Sequence, residues 1–377
     1  MSKVLVGMSG GVDSSVTAHL LLQQGFEVEG LSFILWEARN RAGFTACCSY
    51  EATDSASKTA EKLGIKHASV DVRGEFVDKV IEPFVEAYAK GMTPNPCILC
   101  NRYVKFPFLL REAEKRGAEY IATGHYACVV KEGGLEGSAQ KYARCNNVLR
   151  KGIDPKKDQS YVLYVLGQNT LERLILPLGD YRKDEIRAIA RSLDLPAAER
   201  PESQEICFIE DKNYFRFIEK LSPVAGEPGP ILDVNGKVVG THKGLYCYTM
   251  GQRKGLGIPS LEPHYVIKID PLKNTLCVGS REEAKIRRFF VEDVNWLLSP
   301  EESFFRATVK VRSMMEARPA SVEILSEGVM VIFDEPQWAP APGQSAVFYD
   351  GDTVIGGGII VEALQEAGKV KGTPVLH

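Results

Sequence analysis

Apolar and polar positions alternate along the first 125 residues in a strand-then-helix rhythm. Val4 to Met8 is a short apolar run, and a helical pattern follows to Gln24, stopped by Gly25. Phe26 to Trp36 reads as a second strand. Further helices are predicted near Ala52 to Leu63, Glu75 to Lys90 and Val104 to Arg116, with strands at His67 to Val72 and Tyr120 to Thr123. This alternation predicts an α/β domain, a parallel sheet with helices on both faces and ligands at the C-terminal strand ends. Helical patterns near Tyr161 to Leu174 and Lys183 to Leu193 extend it to about residue 210. Beyond, the texture changes. Ser222 to Pro230 is rich in Pro and Gly, and Asn235-Gly236 is a hairpin signal, so residues 211–280 read as a small β-rich domain. Residues 281–365, with runs such as Ala307 to Val311 and Ser321 to Phe333, read as an antiparallel β-barrel, and the stretch from Gln365 as a loose tail.

The first strand-to-helix turn carries the clearest chemistry. Gly7-Met8-Ser9-Gly10-Gly11-Val12-Asp13-Ser14-Ser15 puts glycines and hydroxyls at a helix N-terminus, where backbone N–H groups and the helix dipole suit a polyanion. Asp13 is a candidate for magnesium bridging phosphates. The turn lacks the lysine of a Walker loop, which points to release of pyrophosphate rather than transfer of a terminal phosphate.

Length and composition change little in this picture. The 377 residues suffice for two or three domains, and 44% hydrophobic with 25% charged residues is ordinary for a globular protein. The absence of an apolar run of membrane-spanning length, and of room for a signal peptide before the first strand, predicts a cytoplasmic protein with no membrane partner. A net charge of −3 leaves any nucleic-acid contact to local basic patches. The nine cysteines, odd in number and irregularly spaced, do not form a secreted disulfide framework. Two of their segments stand out. Thr93-Pro94-Asn95-Pro96-Cys97-Ile98-Leu99-Cys100-Asn101 reads as a Pro-rich loop before a helix whose N-terminus could lower a thiol pKa, and Ser203 to Ile209 carries Cys207 at the end of the first domain. Cys47 and Cys48 read as incidental, and Cys128, Cys145, Cys247 and Cys277 as small buried residues of strand-like segments.

Seven segments in order resemble the bacterial tRNA-specific 2-thiouridylase family of the ATP-pyrophosphatase superfamily. They are Gly7 to Ser15, Thr93 to Asn101, Ala122-Thr123-Gly124-His125-Tyr126, Lys157-Asp158-Gln159-Ser160-Tyr161, Ile206 to Ile209, Gly251 to Gly257 and Pro342 to Tyr349. The resemblance implies replacement of the 2-oxygen of the wobble uridine of tRNAs for Lys, Glu and Gln by sulfur, after adenylation by ATP. It implies that Cys207 bears a persulfide delivered by a sulfur-relay protein or cysteine desulfurase. Cys100 would be its partner thiol, forming a disulfide with Cys207 or releasing sulfide. By the same resemblance Gly7, Met8, Ser9, Gly10, Gly11, Val12, Asp13, Ser14, Phe33 and Gly124 would contact the nucleotide. Asn95, Pro96, Cys97, His125, Lys157, Asp158, Gln159, Arg312, Ser313 and Gln344 would contact tRNA. Arg253, Lys254, Arg281, Lys285, Arg287 and Arg288 offer further phosphate partners, with Glu282 and Glu283 partly cancelling the latter group.

One departure is Cys97, where many family members carry Asp. With Cys100 and Cys207 it makes three thiols, a set that could ligate an iron-sulfur cluster and carry sulfide without a persulfide. The persulfide route is favoured. Two readings from other classes are an amide-forming ATP-pyrophosphatase synthetase, which would need an ammonia source and no thiol, and an inactive tRNA-binding protein, which would not need Ser9, Asp13, Cys100 and Cys207 together.

Overall fold

The computed structural model describes residues 1–36, 49–131, 142, 147–198, 206–209, 213–221 and 226–364. Cys47, Cys48, Cys145, the segment 203–205 and the tail from residue 365 lie outside the described residues.

The first strands and helices in chain order are β1 (Lys3–Gly7), α1 (Val12–Gln23), β2 (Glu27–Ile34), α2 (Ser49–Leu63) and β3 (Lys66–Asp71). They are followed by α3 (Arg73–Phe76), α4 (Glu82–Ala89), α5 (Pro96–Cys100), α6 (Phe106–Lys115) and β4 (Tyr120–Thr123). Wide π-helical turns, Val77–Ile81 and Asn101–Lys105, join α3 to α4 and α5 to α6. Next come the strands β5 (Ala127–Lys131) and β6 (Asn147–Lys151), the helices α7 (Ser160–Leu163) and α8 (Gln168–Arg173), then β7 (Leu174–Ile175), α9 (Lys183–Ser192) and α10 (Tyr214–Leu221).

β1, β2, β3, β4 and β7 form a parallel sheet in the order β3-β2-β1-β4-β7. Val4, Leu5 and Val6 are fully buried because β1 is central and covered on both faces. The chain runs to one side of β1 through β2 and β3, then returns to its other side with β4, so the strand order reverses between β1 and β4. A crevice opens at the C-terminal ends of strands at such a point. Gly7 pairs with Thr123 there, bringing the turn after β1 beside the turn after β4.

The helix expected over Tyr161 to Leu174 is instead two short helices and an edge strand, since residues 164–167 leave the helix and Leu174 pairs with Ile121. Its periodicity misleads because Tyr161, Leu163, Tyr164, Val165 and Leu166 are buried all round. They are wedged between the sheet and the C-terminal domain, where Tyr161 donates to the Ser345 carbonyl at 2.8 Å.

β8 (Gly229–Leu232), β9 (Val238–His242), β10 (Tyr265–Asp270) and β11 (Thr275–Gly279) form a small sheet in the order β10-β11-β8-β9. Cys247 lies in a 3-10 turn rather than a strand and is half-buried, as is Cys128 in β5, whereas Cys277 in β11 is buried. β12 (Lys285–Trp296), β13 (Phe304–Lys310), β14 (Arg318–Ile324), β15 (Val329–Trp338), β16 (Ser345–Asp350) and β17 (Thr353–Leu364) are joined in an antiparallel ring closed by β12 on β17, a six-stranded barrel. Phe289, Val331, Phe333 and Phe348 fill its core. The hairpin β5–β6 leaves the N-terminal sheet and joins the barrel through Thr353 opposite Arg150, a long-range pairing that local pattern does not reveal.

Candidate nucleotide and thiol site

Gly10 sits at φ +72°, and a Cβ there would come within 2.1 Å of the Ala52 carbonyl oxygen, so the turn is built for glycine. A Cβ on Gly11 would meet only Ser9 Oγ, at 3.6 Å, which leaves the cradle open above it. Ser14 Oγ accepts from the Ser9 N–H at 3.1 Å, and Ser55 Oγ donates to the Gly10 carbonyl at 3.0 Å, fixing the turn from α1 and α2. Gly124 closes the other wall: a Cβ there would lie 2.8 Å from the Asp13 carbonyl carbon and the Ser14 nitrogen. Met8 and Val12, within the Gly7 to Ser15 segment, are buried, and Phe33, near the end of β2, is half-buried between two core clusters.

Asp13 is held firmly. Lys183 Nζ bonds both its oxygens at 2.7 Å, and the Tyr126 hydroxyl donates to Oδ1 at 2.7 Å. Lys183 reaches it because α9 packs Ile186 and Ala190 against Val12, Val16 and Leu20 of α1. A cation thus stands where the sequence suggested magnesium. Sequence spacing does not announce Lys183, which is 170 positions from its partner.

The cysteine segment is not the loop expected from its prolines. Pro96–Cys100 is α5, with Asn95 as N-cap, its Oδ1 accepting from the Cys97 N–H at 3.1 Å, and Pro96 in the first turn. Asn followed by Pro is a helix-start signal, and it prevails here. Cys97 is exposed and Cys100 is buried, in one apolar cluster with Phe84, Phe208 and Ile209. Exposed Cys207 adjoins that cluster through its neighbours. The cluster therefore draws the two expected partner segments together.

The expected lowering of the thiol pKa by a helix N-terminus is corrected. Protein mass around Cys97 and Cys100 pushes both thiols up, and the nearby Lys105 ammonium pulls them back only in part. Lys105 is the second residue missed by sequence reasoning. It also acts on His125, which desolvation and this cation hold neutral, well below its ordinary pKa. His125 was expected to meet tRNA, but it is buried, bonded through Nδ1 to Thr123 Oγ1 at 2.7 Å and stacked on Phe106. Among the described residues no three His, Cys, Asp or Glu side chains form a metal-binding group, so Cys97, Cys100 and Cys207 are not gathered as a cluster site.

Other expected tRNA contacts have internal work. Asp158 Oδ1 accepts from the Ser160 N–H at 3.1 Å, and its other oxygen faces Lys310 at 3.7 Å. Gln159 accepts from the Tyr126 N–H at 3.0 Å. α7 begins directly after Gln159, at Ser160. Gln344 donates to the Thr93 carbonyl at 2.7 Å, bracing the approach to α5 from the barrel. Arg312 donates to the carbonyls of Met250 and Ala339, both at 2.9 Å, tying the central sheet to the barrel. Ser313 follows it, half-buried, and Lys157 lines a cavity shared with Lys183.

Family models match three consecutive regions: a "tRNA methyl transferase HUP domain" over residues 2–211, a "tRNA methyl transferase PRC-barrel domain" over 216–280, and an "Aminomethyltransferase beta-barrel domain" over 286–360. The chain is 47% identical over 369 residues to a tRNA-specific 2-thiouridylase of Thermoanaerobacter sp. (strain X514), covering 97% of this chain and 99% of that protein. It belongs to the tRNA-specific 2-thiouridylase family. Family members of the same description from Carboxydothermus hydrogenoformans and Clostridioides difficile are 45% and 42% identical, each covering 96% of this chain and 98% or 99% of the relative. The 2-thiouridylase family assignment fits the observed order of nucleotide-type parallel sheet, small central sheet and barrel. No helix among the described residues is long and apolar enough to cross a membrane.

Proposed function

We propose that the protein thiolates C2 of the wobble uridine in tRNAs for Lys, Glu and Gln, using ATP and a persulfide on Cys207. The observation that carries this reading is the union, in one chain of the 2-thiouridylase family, of the Ser9–Ser14 cradle with a Cys100 cluster that the Cys207 segment adjoins.

A pyrimidine carbonyl is a poor electrophile, and its oxygen a poor leaving group. In the proposed reaction O2 attacks the α-phosphorus of ATP and pyrophosphate departs, its charge met by the backbone N–H groups of the Gly10–Asp13 turn. The terminal sulfur of the Cys207 persulfide then attacks C2, and AMP leaves with the former O2. Cys100 as thiolate attacks Sγ of Cys207, forming a Cys100–Cys207 disulfide, and the 2-thiouridine departs with the electron pair. A thiol reductant supplies the two electrons and protons that restore both thiols. In the variant order, Cys100 attacks Sγ first and the liberated hydrosulfide attacks C2. A sulfur-relay protein or desulfurase supplies the persulfide sulfur.

No step is routed through magnesium or an iron-sulfur cluster. Both oxygens of Asp13 are taken by Lys183 and Tyr126, and the three thiols are not assembled. Transfer of label from a uridine carrying 18O at O2 tests the activation step. The label is expected in AMP; its appearance in water or inorganic phosphate would overturn adenylation of O2.

A further inference from the structure

Beside the nucleotide cradle lies a cavity of about 670 Å³ lined by Lys156, Lys157, Arg182, Lys183, Arg187 and Arg191. Against these six cations stand Asp154 and Asp184. Asp154 is already engaged, accepting from the backbone N–H groups of Lys156 at 3.0 Å and Lys183 at 3.1 Å. This is a marked local excess of positive charge in a chain whose net charge is −3. Among the described residues Lys156, Arg182 and Arg191 form no ion pair with a carboxylate, and all three are exposed.

The cations are also ordered. Lys183, Arg187 and Arg191 recur every fourth residue along α9, on one stripe of the helix, while Ile186 and Ala190 face α1. At 1.5 Å per residue the stripe runs about 12 Å, longer than one phosphate group and suited to successive phosphates of a backbone. Lys183 is where the two sites meet: its ammonium points to Asp13 in the cradle while its residue lines the cavity.

We propose that this cavity is a binding site for the phosphodiester backbone of the RNA substrate, abutting the nucleotide cradle at Lys183. It rests on the reading of tRNA as substrate and adds to it a docking element made by α9. Charge of this kind holds a strand in register without reading its bases, and its contribution falls with salt as bound counterions return. A strand seated there would deliver its uridine to the cradle from a fixed side.

The test measures binding of a full-length tRNA transcript across 50 to 300 mM KCl, for wild type, Arg191→Ala and the triple variant Arg182→Ala/Arg187→Ala/Arg191→Ala. Each lost phosphate contact lowers the slope of log affinity against log salt by about 0.7 to 0.9. The expected result is a slope smaller by about 2 to 3 for the triple variant and about 1 for Arg191→Ala, with roughly 10- to 100-fold weaker binding of the triple variant at low salt. Direct titration with ATP alone should give wild-type affinity in both variants. Unchanged tRNA affinity and slope would overturn the proposal, and so would weakened ATP binding with an unchanged tRNA slope, which would make the cavity a small-anion site. Arg191→Ala guards against misfolding, since its side chain is at the surface. Wild-type protein that binds no tRNA at any salt would overturn the functional reading itself, and the cavity proposal with it.

Discussion

Lys183 holds both carboxylate oxygens of Asp13 at 2.7 Å, linking the start of α9 to the first turn of α1. The pair places a cation beside the phosphate cradle without a lysine in the cradle motif. Lys183→Met should reduce tRNA-dependent pyrophosphate release by about 10²- to 10³-fold, the scale seen when a preorganised charge-stabilising donor is lost. Because the helix packing through Ile186 and Ala190 remains, thermal stability should change little. Pyrophosphate release and a melting curve on the same preparation check both; near-wild-type turnover would remove Lys183 from the site.

Gly124 has no room for a side chain. Gly124→Ala must displace the backbone at Asp13 and Ser14, and should raise the KM for ATP at least 10-fold while costing about 1 to 3 kcal/mol of stability. Gly167→Ala is the control, since a Cβ there meets nothing within 4 Å and its φ is −93°. Steady-state kinetics and chemical denaturation of both variants separate local crowding from loss of any glycine.

Lys105 pulls the Cys100 thiol down against the burial that raises it, and acts in the same direction on exposed Cys97. Lys105→Gln should therefore shift the pH profile of Cys100 alkylation to higher pH and slow the reaction at neutral pH, and Lys105→Arg should restore it. Alkylation rates followed by peptide mass spectrometry report this; an unshifted profile in Lys105→Gln would show that the ammonium does not govern the thiol.

His125 is held neutral in the folded protein, below its ordinary pKa of 6.5. The unfolded chain then binds more protons between the folded pKa and 6.5, so its contribution to stability is complete above 6.5 and is lost as the pH falls through that window. His19 and His67 are shifted the same way by burial. The drop in melting temperature from pH 7.5 to 5.5 should be smaller in His125→Gln than in wild type, the difference isolating His125. Equal drops would contradict its being buried and neutral.

The cradle was readable because its signals are local: glycines, hydroxyls and a helix start within a few residues of an apolar strand. Asn95 and Pro96 carried an equally local signal for α5, but proline suggests loop when read by itself. The burial of Cys100 depends on Phe84 and Phe208, more than a hundred residues apart, and so has no short-range mark. The same is true of Lys183, of β5–β6 pairing with the barrel, and of Gln344 bracing Thr93. Motif matching marks Asp158, Gln159 and Arg312 as contact residues, yet only the packed structure reveals the hydrogen bonds they make inside the protein.

The central claim is that sulfur reaches the uridine through Cys207 with Cys100 as partner. The most direct measurement is 2-thiouridine formed per tRNA, read by nucleoside mass spectrometry, with purified protein, ATP, tRNA transcript and a persulfide donor. Wild type should thiolate its tRNA, while Cys100→Ser and Cys207→Ser should each lose thiolation by more than 100-fold. Full thiolation by either variant would contradict the account.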